Sequence, residues 1–225
     1  MAREKLCVGI DIGASAVKLC QLRRGKKEVM LEQFGHVSLS PGTVVDGAVM
    51  NPGRIVEVIQ ELRATHKIRN KHAAISVSGH SVIIKKITVP QMSNEELEQN
   101  IQWEAEQFIP FDIADVNIDF QIVNGSSAQQ GHMDVVLVAA KKDFINEYTS
   151  IIAEAGFEPM VCDVDAFAIE NMFLESYEAE MGETIALVNV GATKSNINIL
   201  SGNVSSFTRD LSVGGNSFTE EIQKQ

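Results

Sequence analysis

The feature that most constrains this chain is a repeat. Ile10-Asp11-Ile12-Gly13-Ala14-Ser15 returns as Val188-Asn189-Val190-Gly191-Ala192-Thr193, in each case apolar, Asp or Asn, apolar, Gly, Ala, hydroxyl. A strand-like run follows each copy: Val17 to Leu22 after the first, and Asn196 to Ile199, alternating with period two, after the second. Each copy therefore reads as a strand, a tight turn and a returning strand. Such a turn binds anions, because glycine lets the backbone come close, turn amides point at a phosphate, and the hydroxyl adds a donor. Asp11, just before the first turn, is placed to hold Mg²⁺ through water, since that ion keeps most of its hydration shell. One short glycine motif alone is weak evidence against an ordinary hairpin turn. Two copies in matching places of a larger repeat favour the phosphate reading.

The larger repeat is strand-strand-strand-helix. After the first hairpin come a strand over Glu28 to Leu39 and a helix from Pro52 to His66, with Asn51 as N-cap and Ile55, Ile59 and Leu62 on one face. A buried strand, Ala73 to Ser78, follows. After the second hairpin come a strand over Asn203 to Asp210 and a helix opened by Gly214-Gly215, with Ser217 and Glu220 as its capping box. Between the halves, residues 81–141 read as an α+β insertion: strand (Val82 to Val89), helix (Asn94 to Ile109, capping box Ser93/Glu96), strand (Val116 to Val123), strand (Met133 to Ala140). The first half closes with helices at Phe144 to Ala155 and Ala166 to Tyr177 around a strand at Pro159 to Asp163. Gly125 to Gly131 is expected to be a flexible hairpin tip.

At 225 residues and 44% hydrophobic, the chain can build one large or two modest cores. Its formal charge of -11 repels phosphate backbones and argues against nucleic acid as a partner. No apolar window approaches a membrane span, and the N-terminus lacks a signal peptide, so the chain is expected to stay in the cytoplasm. Cys7, Cys20 and Cys162 form no CxxC and read as buried structural thiols; His36, His66, His72, His80 and His132 do not pair at ligand spacing. Trp103 is expected to be partly buried, and the glutamates around it to form a solvated face.

The arrangement resembles the actin-like ATPase superfamily: an α/β fold of duplicated ribonuclease-H-like domains with nucleotide between them. The insertion is placed as in the cell-division protein FtsA. Within that group the chain is similar to the type IV pilus assembly PilM family, through Val8 to Gly13, Val89-Pro90-Gln91-Met92 to Pro110-Phe111, Val136 to Asp143, and Asp163-Val164-Asp165-Ala166. The resemblance implies a discontinuous first domain (1–80 and 142–180), an inserted subdomain (81–141), and the start of a second domain (181–225). That second domain is expected to be truncated, the adenine-cradling segment lying beyond Gln225.

It further implies ATP and Mg²⁺ as ligands. Asp11, Gly13, Ser15 and Lys18 belong to the first phosphate motif and Gly191 and Thr193 to the second; Gly214-Gly215-Asn216 is the turn approaching the nucleotide, and Asp165 the residue orienting attacking water. As bland readings, Asp165 is a helix N-cap and Lys18 an exposed strand residue. Asn189 stands where the superfamily usually has a second aspartate, which bears on hydrolysis more than on binding. The implied role is a scaffold, peripheral to the inner membrane, that holds the N-terminal peptide of a PilN-like partner. An active ATPase or small-molecule kinase, a filament-forming protein and self-association are the alternatives, and fold alone does not choose among them.

Overall fold

The computed structural model describes residues 6–26, 28–123, 131–177, 182–202 and 204–224, so the expected hairpin tip, apart from Gly131, lies outside the described residues. The chain opens with β1 (Val8–Ile12), β2 (Ala16–Arg24) and β3 (Val29–Ser38), a small hairpin of β4 (Val44–Val45) and β5 (Ala48–Val49), α1 (Pro52–Thr65) and β6 (His72–Val77). Next come β7 (Val82–Pro90), α2 (Asn94–Glu106), β8 (Val116–Val123) and β9 (His132–Lys141), followed by α3 (Lys142–Glu154), β10 (Glu158–Val164) and α4 (Asp165–Ser176). The last elements are β11 (Thr184–Val190), β12 (Ser195–Ser201), β13 (Val204–Leu211) and α5 (Gly215–Gln223).

The first sheet has five strands in the order β10-β6-β1-β2-β3. Its β1, β2 and β3 run antiparallel, while β6 lies parallel to both β1 and β10. Helix α1 forms where the sequence marks it: Asn51 Oδ1 accepts from Arg54 N at 3.1 Å, and Pro52 sits where the helix needs no donor. It buries Ile55, Val58, Ile59 and Leu62, and α3 adds Tyr148, Ile151 and Ile152, against Val8, Ile10, Val17, Leu19, Ile75 and Val77 of the sheet. Every second residue of β1 thus faces these helices, as the strand period requires.

The second sheet, β7-β9-β8, carries α2 on one face. The capping box is present, with Glu96 N donating to Ser93 Oγ at 3.2 Å and Ser93 N to Glu96 Oε2 at 2.9 Å. Leu97, Ile101 and Ala105 pack on Ile87, Val89, Val135 and Leu137 as a separate core. The helix stops at Glu106, earlier than the expected Ile109, and the chain leaves it through a tightened turn in which Phe108 N and Ile109 N both donate to Ala105 O. Trp103 corrects another expectation: it is 77% exposed. Two residues past buried Ile101 is about 200° around the helix, on the far face.

Two further corrections concern local sequence signals. The cysteines are not buried: Cys7 and Cys20 are half-buried and Cys162 is exposed. The β4–β5 hairpin was not expected, although Asp46-Gly47 supplies the positive φ values, 51° and 89°, that a tight two-residue hairpin turn takes.

The third sheet, β11-β12-β13, ends in α5, which Gly214-Gly215 opens as expected, but Ser217 and Glu220 do not form its capping box. Ser217 lies inside the first turn, where its Oγ accepts from Gly214 N at 3.5 Å. What fixes this helix start is the second glycine turn: Gly215 N donates to Gly191 O at 2.9 Å and Asn216 N to Ala192 O at 2.8 Å. A Cβ on Gly214 would lie 2.6 Å from the carbonyl carbon and oxygen of Ala192, so only glycine permits this approach. Gly214→Ala should therefore cost about 1–3 kcal/mol in urea unfolding, the usual range for forced overpacking. Gly53→Ala, whose Cβ would meet only Asn51 Oδ1 at 3.9 Å, should be neutral or stabilising. Equal effects of the two would refute the bracing role.

Candidate functional site

The two glycine turns are closed alike. Gly13 N donates to Ala16 O at 3.1 Å, and Gly191 N to Lys194 O at 2.9 Å. Neither glycine has positive φ; each is needed for space, since an added Cβ would lie 3.2 Å from Ala16 O or 2.9 Å from Lys194 O. In the first copy Asp11 and Lys18 face each other across β1 and β2 and form an ion pair at 2.6 Å. Lys18 is an exposed strand residue, as the bland reading has it, and is at the same time tied to the motif through Asp11. Ser15 O holds Leu39 N at 2.8 Å, which ties the turn to the end of β3.

The second copy repeats the register with different chemistry. Asn189 pairs with Asn196, and Asn196 with Asp210, across β11, β12 and β13. Asn189 Nδ2 donates to Asn196 Oδ1 at 3.0 Å, and Asn196 Nδ2 donates to Asp210 Oδ1 at 2.7 Å. The other Asp210 oxygen accepts from Gly79 N, at the end of β6, at 2.7 Å. The carboxylate missing from position 189 is therefore present two strands away, already bonded to the first half of the chain. Sequence reasoning passed over Asp210, because its meaning depends on a cross-strand register.

The end of β6 gathers the rest. Ser76 Oγ and Ser78 Oγ donate to Asp165 Oδ1 and Oδ2 at 2.6 and 2.5 Å. Asp165 is the first residue of α4 and makes no capping bond, so the N-cap reading is wrong; both its oxygens are held by the neighbouring strand. Lys194 Nζ reaches across from the second turn to Ser78 O at 3.1 Å. Tyr148 Oη donates to Gly47 O at 2.7 Å, and burial, then the charges of Asp165, Glu147 and Asp11, hold its hydroxyl far above the ordinary range. The structure thus brings Asp11, Gly13 and Lys18 together, and Gly191 with Gly214, Gly215 and Asn216, and it links the second set to Asp165 through Lys194 and Ser78. Lys194, Ser76, Ser78 and Tyr148 were all missed; the Ser-x-Ser alternation of β6 was the one signal available.

A cavity of about 860 Å³ lies where β8 and β10, both outer strands, come together with α4 and β13. Phe120, Ile122, Val138 and Phe167 supply its apolar wall, and Asp119, Asp163 and Glu170 its charge. Desolvation pushes the Asp163 and Glu170 carboxyls up, although Val164 N and Asn198 respectively donate to them. It also lifts the Cys162 thiol, together with Asp163 and Asp165, to about 11, the direction of an unreactive thiol. Among the described residues no three His, Cys, Asp or Glu side chains converge on a metal position, and no helix is long and apolar enough to cross a membrane.

One solved chain, of a PilM-PilN type IV pilus biogenesis complex, is 30% identical, superposes with a TM-score of 0.84 and matches 97% of this chain. This chain spans 65% of that one. The ethanolamine utilization protein EutJ from Carboxydothermus hydrogenoformans is 14% identical with a TM-score of 0.55, over 99% of this chain and 57% of its own. The cytoplasmic domain of EpsL, an inner membrane component of the type II secretion system of Vibrio cholerae, is 12% identical with a TM-score of 0.55, over 91% and 70%. The last two bear on fold alone, and with the first they support the α/β, actin-like reading of the sequence. The sequence family of type IV pilus assembly protein PilM matches residues 9–225, and the chain belongs to that family.

Proposed function

We propose that this chain is a nucleotide-binding scaffold of the type IV pilus machine, taking ATP with Mg²⁺ between actin-like domains and holding the N-terminal peptide of a PilN-like inner-membrane protein. In this reading residues 1–80 and 142–180 form the first domain, 81–141 the inserted subdomain, and 181–225 the start of the second. The observation that carries it is the pair of outer strand edges at one cavity. Strands β8 and β10 both line it, each with one edge that no described strand pairs. An extended peptide adds to such an edge by main-chain hydrogen bonds, and Phe120, Ile122 and Phe167 offer pockets for its side chains. Asp119, Asp163 and Glu170 favour a basic residue in the peptide, with a salt-sensitive contribution.

The phosphate role rests on the two matched turns. Gly13, Ser15, Lys18, Gly191 and Thr193 would face the phosphates, with Gly214, Gly215 and Asn216 behind the second turn. Asp11, exposed and paired with Lys18, suits a hydrated Mg²⁺ that arrives with its phosphates and does not need a cage of protein ligands. Bound there, the ion would neutralise phosphate charge. Asp165, fixed by Ser76 and Ser78, is the residue to orient a water. Asn189 offers no charge, and Asp210 is already bonded to Asn196 and Gly79, which supports slow or absent hydrolysis.

Asp11→Ala should weaken MgATP binding by about ten- to a hundred-fold, the usual worth of a charged hydrogen-bonding group, as measured by equilibrium titration. Unchanged affinity and Mg²⁺ dependence would sink the first motif. Turnover of the wild type should be slow, with Asn189→Asp the variant to raise it; fast wild-type turnover would favour the ATPase alternative. A labelled N-terminal PilN-type peptide should bind, and Phe120→Ala should weaken it by about ten-fold. Unaltered binding after Phe120→Ala and after deletion of 81–141 would reject the groove. No binding by the intact protein would reject the partner.

A further inference from the structure

The first sheet has a second end, opposite the phosphate turns. There β1, β6 and β10 begin and the β2–β3 turn projects. In a chain with 30 Asp and Glu against 19 Lys and Arg, this end carries exposed Arg23, Arg24, Lys26, Lys67, Arg69 and Lys71. Between Leu62 and Asn94 the sequence has no acidic residue.

The two basic segments are neighbours in space. Val8 pairs with Gln21 on one side and Ala73 on the other. Arg23 and Lys71 therefore each lie two residues past that row, separated sideways by about 10 Å, two strand spacings. Asn70 Nδ2 donates to Leu6 O at 2.6 Å, which draws the 67–71 loop against the start of β1. Beside it, Arg63, Lys67, Arg69 and the backbone at Gly156 surround an open depression of about 580 Å³.

Aliphatic side chains stand among these cations. Leu6, Leu22 and Val29 are exposed, and Leu31 is 63% exposed. The nearby carboxylates offset only part of the charge: Glu175 is 3.9 Å from Arg24, Glu158 lies 3.3 Å from the His72 ring beside Lys71, and Glu28 and Glu32 stand on the hairpin, which leaves the basic groups in excess. Lys67, Arg69 and Lys71 have no carboxylate partner among the described residues.

We propose that this end of the sheet rests directly on an anionic phospholipid bilayer. Basic side chains reach lipid phosphates while their stems and the leucines enter the boundary between headgroup and acyl chain. An acidic protein segment would match the charge equally well. It would not call for aliphatic residues spread over a projecting hairpin turn and a strand end, and these favour the bilayer. The net charge repels such a surface everywhere else, so contact through this end also sets orientation. The proposal is independent of nucleotide and of the peptide groove.

The test is co-sedimentation with phosphatidylglycerol-containing vesicles and with pure phosphatidylcholine vesicles. Binding is expected to the first only, to fall as salt rises, and to survive millimolar inorganic phosphate. Removing one basic contact should weaken it by about five-fold, so Lys67→Glu with Arg69→Glu and Lys71→Glu should abolish it. Leu31→Asn should weaken binding while keeping its salt dependence, and Glu98→Gln, on α2, should leave it unchanged. Peptide binding and melting temperature report that each variant is folded. Three outcomes would overturn the proposal: no binding at low salt, equal binding to both vesicle types, or full binding by the triple variant. Salt-sensitive self-association without vesicle binding would overturn it too, and would give the surface to a second copy of this chain.

Discussion

The end of β6 and the two residues after it form the densest junction between the first sheet and the third among the described residues, with Asn198 adding a second link to Ala166 and Glu170 of α4. Within four positions, Ser76 and Ser78 hold Asp165, Ser78 O takes Lys194, and Gly79 N donates to Asp210. Each bond is modest on its own, about 1 kcal/mol for a neutral pair and more where one partner is charged. Their value lies in sharing one short segment, so that the start of α4, the second phosphate turn and the β13 strand all take position from it. Gly79 carries φ of +104°, a conformation that other residues rarely adopt. A Cβ there would also lie 3.4 Å from Lys194 Nζ. The same segment leads into β7, which begins at Val82, so the second sheet hangs from the junction that sets the turns.

The repeat shows how a duplicated unit diverges without losing its frame. Both turns keep the same closing hydrogen bond and the same cross-strand register, because those depend on backbone and on glycine's lack of a side chain. What changed is the charge. Asp11 and Lys18 make an ion pair, whereas the corresponding Asn189 and Asn196 make an amide pair. The amide pair extends one strand further to Asp210, converting a local contact into one that spans the halves. The ladder holds because Asn196 can accept from Asn189 with its oxygen while its nitrogen donates to Asp210, a relay that needs an amide in the middle.

What could be read from the sequence divides along the same line. The Asn51 cap, the Ser93/Glu96 box and the stripe Leu97, Ile101, Ala105 were legible because each is decided within one or two turns of helix. Trp103 was misjudged although its answer was local: its angle from Ile101 puts it outside. The Asp46-Gly47 hairpin was legible and overlooked. Asp165 and a helix opened by Gly214-Gly215 were singled out, but what holds them, and the part played by Asp210, could not be read. Their roles are set by Ser76 and Ser78, by Gly79, and by the carbonyls of Gly191 and Ala192, partners distant in sequence that no periodicity places.

The charge of the molecule has a direction as well as a sum. One end of the first sheet holds the first glycine turn, Asp11 and, just past β10, Asp165, with the second turn of the third sheet reaching it through Lys194. The other holds Arg23, Lys26, Lys67, Arg69 and Lys71. The acidic helix α2 belongs to the second sheet, away from that basic end, and Asp119, Asp163 and Glu170 line the cavity alongside. Dissolved ions largely screen exposed charges from one another beyond about 8 Å at physiological salt, so these regions act separately on whatever approaches them. A basic peptide and an anionic surface can therefore be attracted at once, to different faces, with little competition between them. Only the strand frame, which fixes how far apart the faces lie, couples the two.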